Sequence, residues 1–213
     1  MFKEDTTILL PNPNLLPEKE MGFLELIELR SSCRKYTDEP LDIRELSYLL
    51  WCTQGVKLVC ETGRTLRNVP SAASLHPLTS LLFIRNVKEI LPGLYEFLPL
   101  DHALKCVSLG KKLEETVFRA FDEQEMLQQS AVLFLWVADI LRGIQTYGRK
   151  VYRYVYLDAG HVGQNLYLTA QALALGACAV SSYDEEVLHK ALSLDGEEKK
   201  IVHTACVGKV ERC

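Results

Sequence analysis

The chain has 213 residues, a length between one typical domain and two. Hydrophobic residues make up 48% and charged residues 24%, an ordinary globular composition that excludes both disorder and a disulfide-stapled miniprotein. Net charge is −4, from 24 basic and 28 acidic residues, which gives no electrostatic footprint for nucleic acid but leaves room for a local basic pocket around one phosphate.

Residues 1–18 are rich in Pro and Asn and read as an arm laid on a surface, without the apolar stretch of a signal peptide. A first helix is predicted over about 19–30, with Phe23, Leu24 and Ile27 on its apolar side and Leu26 at its margin. The next helix is announced by Asp42 as N-cap and Glu45 three residues later, with Leu41 and Leu46 placed as a hydrophobic staple and Gly55 as its stop. Residues 56–79 read as a long loop, and long loops inside compact domains are often functional. Strands are predicted at 80–85, 93–97 and 103–108, the last two joined by a turn at Pro99–Asp101.

A helix is predicted over 111–128 from Leu113, Val117 and Phe121, then a strand over 131–138 buried on both faces. That apolar run is too short to span a bilayer. One long helix is expected over 150–175, closed by Gly176, then a strand at 177–181. A short helix capped by Asp184 and a last strand at 200–207 complete the pattern. The order is that of an α+β fold, with helices around a mainly antiparallel sheet.

Seven cysteines, an odd number with no C-x-x-C pair, fit reduced core residues of a cytosolic protein better than zinc ligands. Neither G-x-G-x-x-G nor a P-loop occurs, and there is no G-x-S-x-G. Asp158 and His161, three apart on the long helix, could form an acid–base pair, but a helix-internal hydrogen bond or an interface contact is the simpler reading.

Three segments could carry chemistry. Arg30-Ser31-Ser32-Cys33-Arg34 couples two guanidinium forks to two hydroxyls, which suits a phosphate; on this segment alone a basic helix C-terminus complementing its dipole is the simpler reading. The loop Pro70–Pro77 combines small residues with two stiffening prolines, the pattern of a close backbone approach or of a plain connector. Gly176–Asp184 runs from a helix through a short apolar strand to Ser181 and Ser182, and could offer N–H groups to a flat heterocycle.

Taken together with W-C-T-Q-G-V (51–56), Pro92–Phe97, Tyr147–Tyr154 and Leu157–Leu168, these segments resemble the FMN-dependent nitroreductases. More narrowly they resemble the SagB-type branch, which includes thiazole/oxazole-forming dehydrogenases. The similarity runs over about 20–210. It implies a nitroreductase-like fold, one FMN-binding domain over 19–213, and an intertwined homodimer with FMN at the subunit interface.

The resemblance also assigns roles. Arg30, Ser31 and Ser32 would meet the FMN phosphate and ribityl chain, and Arg34 the pyrimidine edge, where a cation stabilises developing negative charge. Pro70, Ser71, Ala72 and Ser74 would reach over from the partner subunit. Ser181 and Ser182 would face the flavin N5, while Lys209 and Arg212 would hold the phosphate. The implied activity is ping-pong transfer from NAD(P)H to small electron-poor acceptors such as nitroaromatics or quinones, in the cytoplasm, with no nucleic-acid or membrane partner.

Two departures from the branch stand out. Ala73 replaces a usual glycine. Thr146-Tyr147 replaces an adjacent Lys-Tyr pair, and a threonine cannot act as base or cation. Tyr147 remains a candidate proton donor, or a packing residue among Tyr152, Tyr154 and Tyr156. A SagB-type dehydrogenase acting on a peptide azoline, and a non-enzymatic flavin-binding dimer, are the alternative readings.

Overall fold

A computed structural model describes residues 3–15, 21–122 and 124–211. Its centre is a seven-stranded sheet formed by β1 (Thr7–Leu9), β4 (Leu78–Ile84), β5 (Gly93–Leu98), β6 (Ala103–Ser108), β7 (Val132–Asp139), β8 (Leu175–Ala179) and β9 (Lys199–Lys209). The spatial order is β1-β6-β5-β4-β7-β9-β8, and every neighbouring pair is antiparallel. The expected α+β architecture is therefore present. Part of the N-terminal arm joins the sheet as the edge strand β1, through Thr7–Lys105 and Leu9–Ala103.

β7 lies inside the sheet and is buried almost throughout. Period-2 alternation sends its side chains to two cores. Phe134, Trp136 and Ala138 join one cluster with Leu82 and Ile84 of β4, while Leu133, Leu135 and Val137 join the other with Phe83. The first cluster lies under α2 (Ile43–Gln54) and the long α6 (Val151–Ala172); the second lies under α3 (Lys111–Ala120) and α7 (Glu185–Ala191). The run that reads in sequence as a strand covered on both faces is just that.

The α2 start forms as expected. Asp42 Oδ1 accepts the Arg44 N–H at 2.9 Å, and Glu45 Oε2 accepts the Asp42 N–H at 2.8 Å. Leu41 and Leu46 are fully buried. The first helix, α1 (Phe23–Leu29), also forms, but its apolar residues face outward: Phe23 is 73% and Leu24 68% exposed.

Three expectations are corrected. The segment 56–79 is not one loop; it contains a hairpin of β2 (Val56–Val59) and β3 (Thr65–Arg67), followed by a 3-10 turn at Ala72–Ser74. The helix over 111–128 is broken into α3 and α4 (Glu125–Gln129), because the chain turns at Asp122 with φ 53°. The long helix is closed by Leu173 and by Ala174 at φ 55°, and Gly176 instead sits in β8, where a side chain would collide with Cys33 and Val210. One helix is additional: α5 (Ile140–Tyr147), capped by Asp139, whose carboxylate accepts the Arg142 N–H at 3.0 Å. Among the described residues no helix is long and apolar enough to cross a membrane.

Candidate active site

The two ends of α6 organise the expected site residues into two separate groups. At the C-terminal end, Tyr167 is the hub. Its hydroxyl accepts the Ala179 N–H at 2.7 Å and shares a 3.0 Å hydrogen bond with Ser32 Oγ. Arg30 stacks over the same ring at 5.4 Å. A parallel bridge between Ser32 and Ala177, with the Cys33 N–H donating to Ala177 O, pins the segment to the edge of β8. Arg30, Ser32 and the residues leading to Ser181 and Ser182 are thereby held side by side. Ser31 and Arg34 are exposed beside them.

Arg34 opens on a cleft of about 690 Å³ that it shares with Lys35, Tyr36, Thr37, Gln129 and Glu211. That volume falls within the range of small-ligand sites. Thr37 also carries a buried Oγ1 with no hydrogen-bond partner, while its N–H donates to Lys209 O. A partnerless buried hydroxyl beside a cleft suits a polar ligand. Lys209 itself turns the other way. Its Nζ donates to Glu45 Oε1 at 2.6 Å, with only 19% and 13% of the two side chains exposed. Arg212 lies outside the described residues.

The second group sits toward the other end of α6. Ser71 Oγ donates to Asp158 Oδ2 at 2.5 Å and accepts the His76 N–H at 2.9 Å. Asp158 is 5% exposed, and burial pushes its carboxyl up while the bonds from Ser71 and Ala72 pull it down. Its hydrogen-bond partner is thus Ser71, not His161, so neither an acid–base pair nor a helix-internal hydrogen bond joins Asp158 to His161. Ala73, Ser74 and His76 all adopt positive φ (46°, 54° and 46°), three left-handed residues within four positions and none of them glycine.

Ala73 and Ser74 meet Thr146 and Tyr147 around a second cavity of about 370 Å³, together with Arg64, Arg67 and Arg142. Gly143 lets α5 come this close, since a Cβ there would meet Val151 and Leu75. Tyr147 packs edge-on against Tyr154 at 4.8 Å, whereas Tyr152 and Tyr156 point outward.

One chain does not bring the two groups together. Asp158 and Tyr167 are nine residues apart, which on a helix is about 13 Å along the axis and half a turn around it. Sequence reasoning missed Tyr167 as the hub, Asp158 as the anchor of Ser71, and the three arginines. Tyr167 lies within a matched segment yet carries no motif of its own, and the arginines are scattered at 64, 67 and 142.

Comparison with known proteins agrees with this architecture. The nitroreductase family model matches residues 27–209. A candidate nitroreductase of Methanocaldococcus jannaschii is 31% identical over 174 residues, covering 81% of this chain and 85% of that protein. A candidate nitroreductase from Ralstonia eutropha superposes with a TM-score of 0.79 at 23% identity, over 97% of this chain and 90% of its own. Another, from Desulfovibrio desulfuricans and solved in complex with FMN, gives 0.60 at 18% identity, over 92% and 93%. The two structures show the shared fold, and the sequence matches go further: the chain belongs to the nitroreductase family of oxidoreductases.

Proposed function

We propose that this oxidoreductase holds FMN between two copies of the chain. It then passes reducing equivalents from NAD(P)H to small electron-poor acceptors such as nitroaromatics or quinones. The observation that carries the reading is the division of the expected flavin contacts between opposite sides of α6. Arg30, Ser32 and Ser181–Ser182 form one half of a site, and Pro70–Ser74 with Tyr147 form the other. A second copy related by a two-fold axis would bring one chain's first half against the other's second half.

The exposed surface supports a partner of the same kind. α6 presents Tyr152, Tyr156 and Leu157 outward, and α1 adds Phe23 and Leu24. Nothing lies within 4 Å of a side chain placed at Gly160, so a second backbone could approach there. Contiguous exposed apolar stripes of this kind mark an interface.

FMN, when bound, supplies the redox chemistry. The chain's residues bind and orient. Arg30 is preorganised by stacking on Tyr167, and Arg34 offers a guanidinium to the pyrimidine edge. The backbone at Ser181 and Ser182 follows directly from the anchored strand β8. Lys209 would serve the phosphate only by sharing its ammonium with Glu45. Tyr147 holds a phenolic proton at the second cavity. Thr146 beside it offers no base, so the reading goes to simple acceptors rather than to azoline oxidation. One domain over 19–213, acting in the cytoplasm, is part of the same proposal.

The test is spectroscopic. Purified protein should be yellow or take up FMN on titration, run as a dimer in light scattering, and bleach when NADH or NADPH is added without oxygen. A colourless protein that takes up no FMN would overturn the reading. A tight FMN complex of a monomer would overturn its dimeric half. Arg34→Ala should slow reduction more than it weakens binding, and an unchanged reduction rate would remove Arg34 from that role.

A further inference from the structure

The cavity between the β2–β3 hairpin, the Ala73–Ser74 turn and α5 has an unusual electrostatic makeup. Arg64, Arg67 and Arg142 all line it, and no carboxylate does. Among the described residues none of the three forms an ion pair. Arg67 is held in place by neutral groups alone: its Nη1 donates to Gln54 Oε1 at 2.7 Å and its Nε to Thr65 Oγ1 at 3.4 Å. Asp139, which caps the helix that carries Arg142, uses Oδ1 on that residue's own N–H.

The positive charges act on one another instead. Burial first, and then Arg142, pushes the Arg67 guanidinium down to about 10. Burial, Arg67 and Arg142 push His76 down to about 4, so it stays neutral and adds no charge of its own. A half-buried arginine is normally paired with an acid, because an unopposed charge in a low-dielectric site is costly. Guanidinium forks without acids are open donors for a planar or tetrahedral oxyanion, which they grip through two parallel N–H bonds. The hydroxyls of Ser74, Thr146 and Tyr147 line the same cavity and add donors of lower charge.

We infer that this cavity is an oxyanion-recognition pocket, and that the molecule docking against Ala73, Ser74 and Tyr147 carries a carboxylate or phosphate held by Arg64, Arg67 and Arg142. The inference rests on the proposed function for what the pocket faces, and it narrows the ligand from any electron-poor acceptor to an anionic one. Two sources share that chemistry: the acceptor's own carboxylate, or a phosphate of the nicotinamide donor. The hairpin explains how the grip is built, since Arg64 and Arg67 lie on and just before β3 while Arg142 comes from the first turn of α5. Two distant stretches of sequence thus bring their arginines to one volume of about 370 Å³, enough for a benzoate-sized ligand.

Direct binding tests this separately from turnover. Benzoate, benzamide and inorganic phosphate are titrated calorimetrically into the purified protein at low and high salt, for the unchanged chain and for Arg64→Gln/Arg142→Gln. Both replaced residues are exposed, so folding is not at stake; Arg64→Lys/Arg142→Lys is the charge-preserving control. The expected result is benzoate or phosphate binding at least tenfold tighter than benzamide, weakened by salt and lost in the double Gln variant, with partial recovery in the double Lys variant.

Equal binding of benzoate and benzamide, or anion binding indifferent to the double Gln change, would overturn the inference even if FMN binds normally. Conversely, salt-sensitive anion binding in a protein that takes up no FMN would sustain the pocket and sink the proposed function. A comparison of KM then separates the sources. An acceptor site predicts that 4-nitrobenzoate loses its advantage over 4-nitrobenzamide in the double Gln variant. A donor site predicts that NADPH loses its advantage over NADH instead. If neither ratio moved, the pocket's link to the ligand that reacts would be overturned.

Discussion

Ser71 Oγ and Asp158 Oδ2 stand 2.5 Å apart, and this bond ties the left-handed turn at Ala73–His76 to the long helix beneath it. The carboxylate is 5% exposed, so each lost donor costs more than it would at the surface. Ser71→Ala should destabilise the chain by about 1–3 kcal/mol and push the Asp158 carboxyl higher still. Urea unfolding at pH 7 checks the first effect. Asp158→Asn, which removes the desolvated charge but keeps an acceptor, should cost less than Ser71→Ala at that pH.

Ala73 pairs a left-handed backbone, φ 46° and ψ 31°, with an exposed side chain. The Cβ–carbonyl clash of that conformation outweighs the entropy that glycine adds to the unfolded state. Ala73→Gly should therefore stabilise by roughly 0.5–1 kcal/mol, read as a higher thermal midpoint. A lower midpoint would show that the turn is not strained.

The Glu45–Lys209 bridge joins the α2 cap to the end of β9, mostly shielded from water. Lys209→Met should destabilise by about 1–3 kcal/mol with or without flavin. Glu45→Gln preserves the cap, because glutamine serves equally at that position. A double-mutant cycle between the two should return a coupling near 1 kcal/mol, and additive losses would mean the pair is worth nothing.

His76 is held near 4, below the ordinary histidine value of 6.5, mainly by burial. Its neutral form is favoured in the fold, so the unfolded chain binds the extra proton first. Stability is complete above about pH 6.5 and is lost as pH falls toward 4. His102, His189 and His203 are shifted the same way, each mainly by burial, and steepen the slope. His76→Asn, which tolerates the positive φ, should flatten the decline of the urea midpoint over this interval. An unchanged slope would place the acid sensitivity elsewhere.

What could be read from the sequence followed the strength of local signals. The α2 cap at Asp42 and Glu45, the strand 103–108 and the doubly buried β7 all carry unambiguous patterns, and all form. The β2–β3 hairpin gave none, because Leu58, Val59 and Leu66 are exposed and no alternation of buried and solvated residues exists to read. α5 was hidden by Gly143 in its middle, a residue that weakens a helix yet is required for the close approach to Val151 and Leu75. The grouping of Arg30, Ser32 and the Ser181 backbone was legible only through the resemblance. Their connection through Tyr167 depends on a β8 register that no local signal specifies.

The position of β9 has a consequence for how the chain comes to be folded. It runs between β7 and β8, so β8 has no other strand to pair with and β7 lacks one neighbour until residues 199–209 are available. During synthesis on a ribosome, residues up to β8 can form the β4–β5–β6 meander and its β7 edge, but that edge stays unpaired and strongly apolar. The sheet closes only after Lys199–Lys209 has emerged. A polypeptide stalled near residue 195 would therefore expose the β7 edge and should be a substrate for chaperones or a seed for aggregation, whereas one released past residue 209 should not.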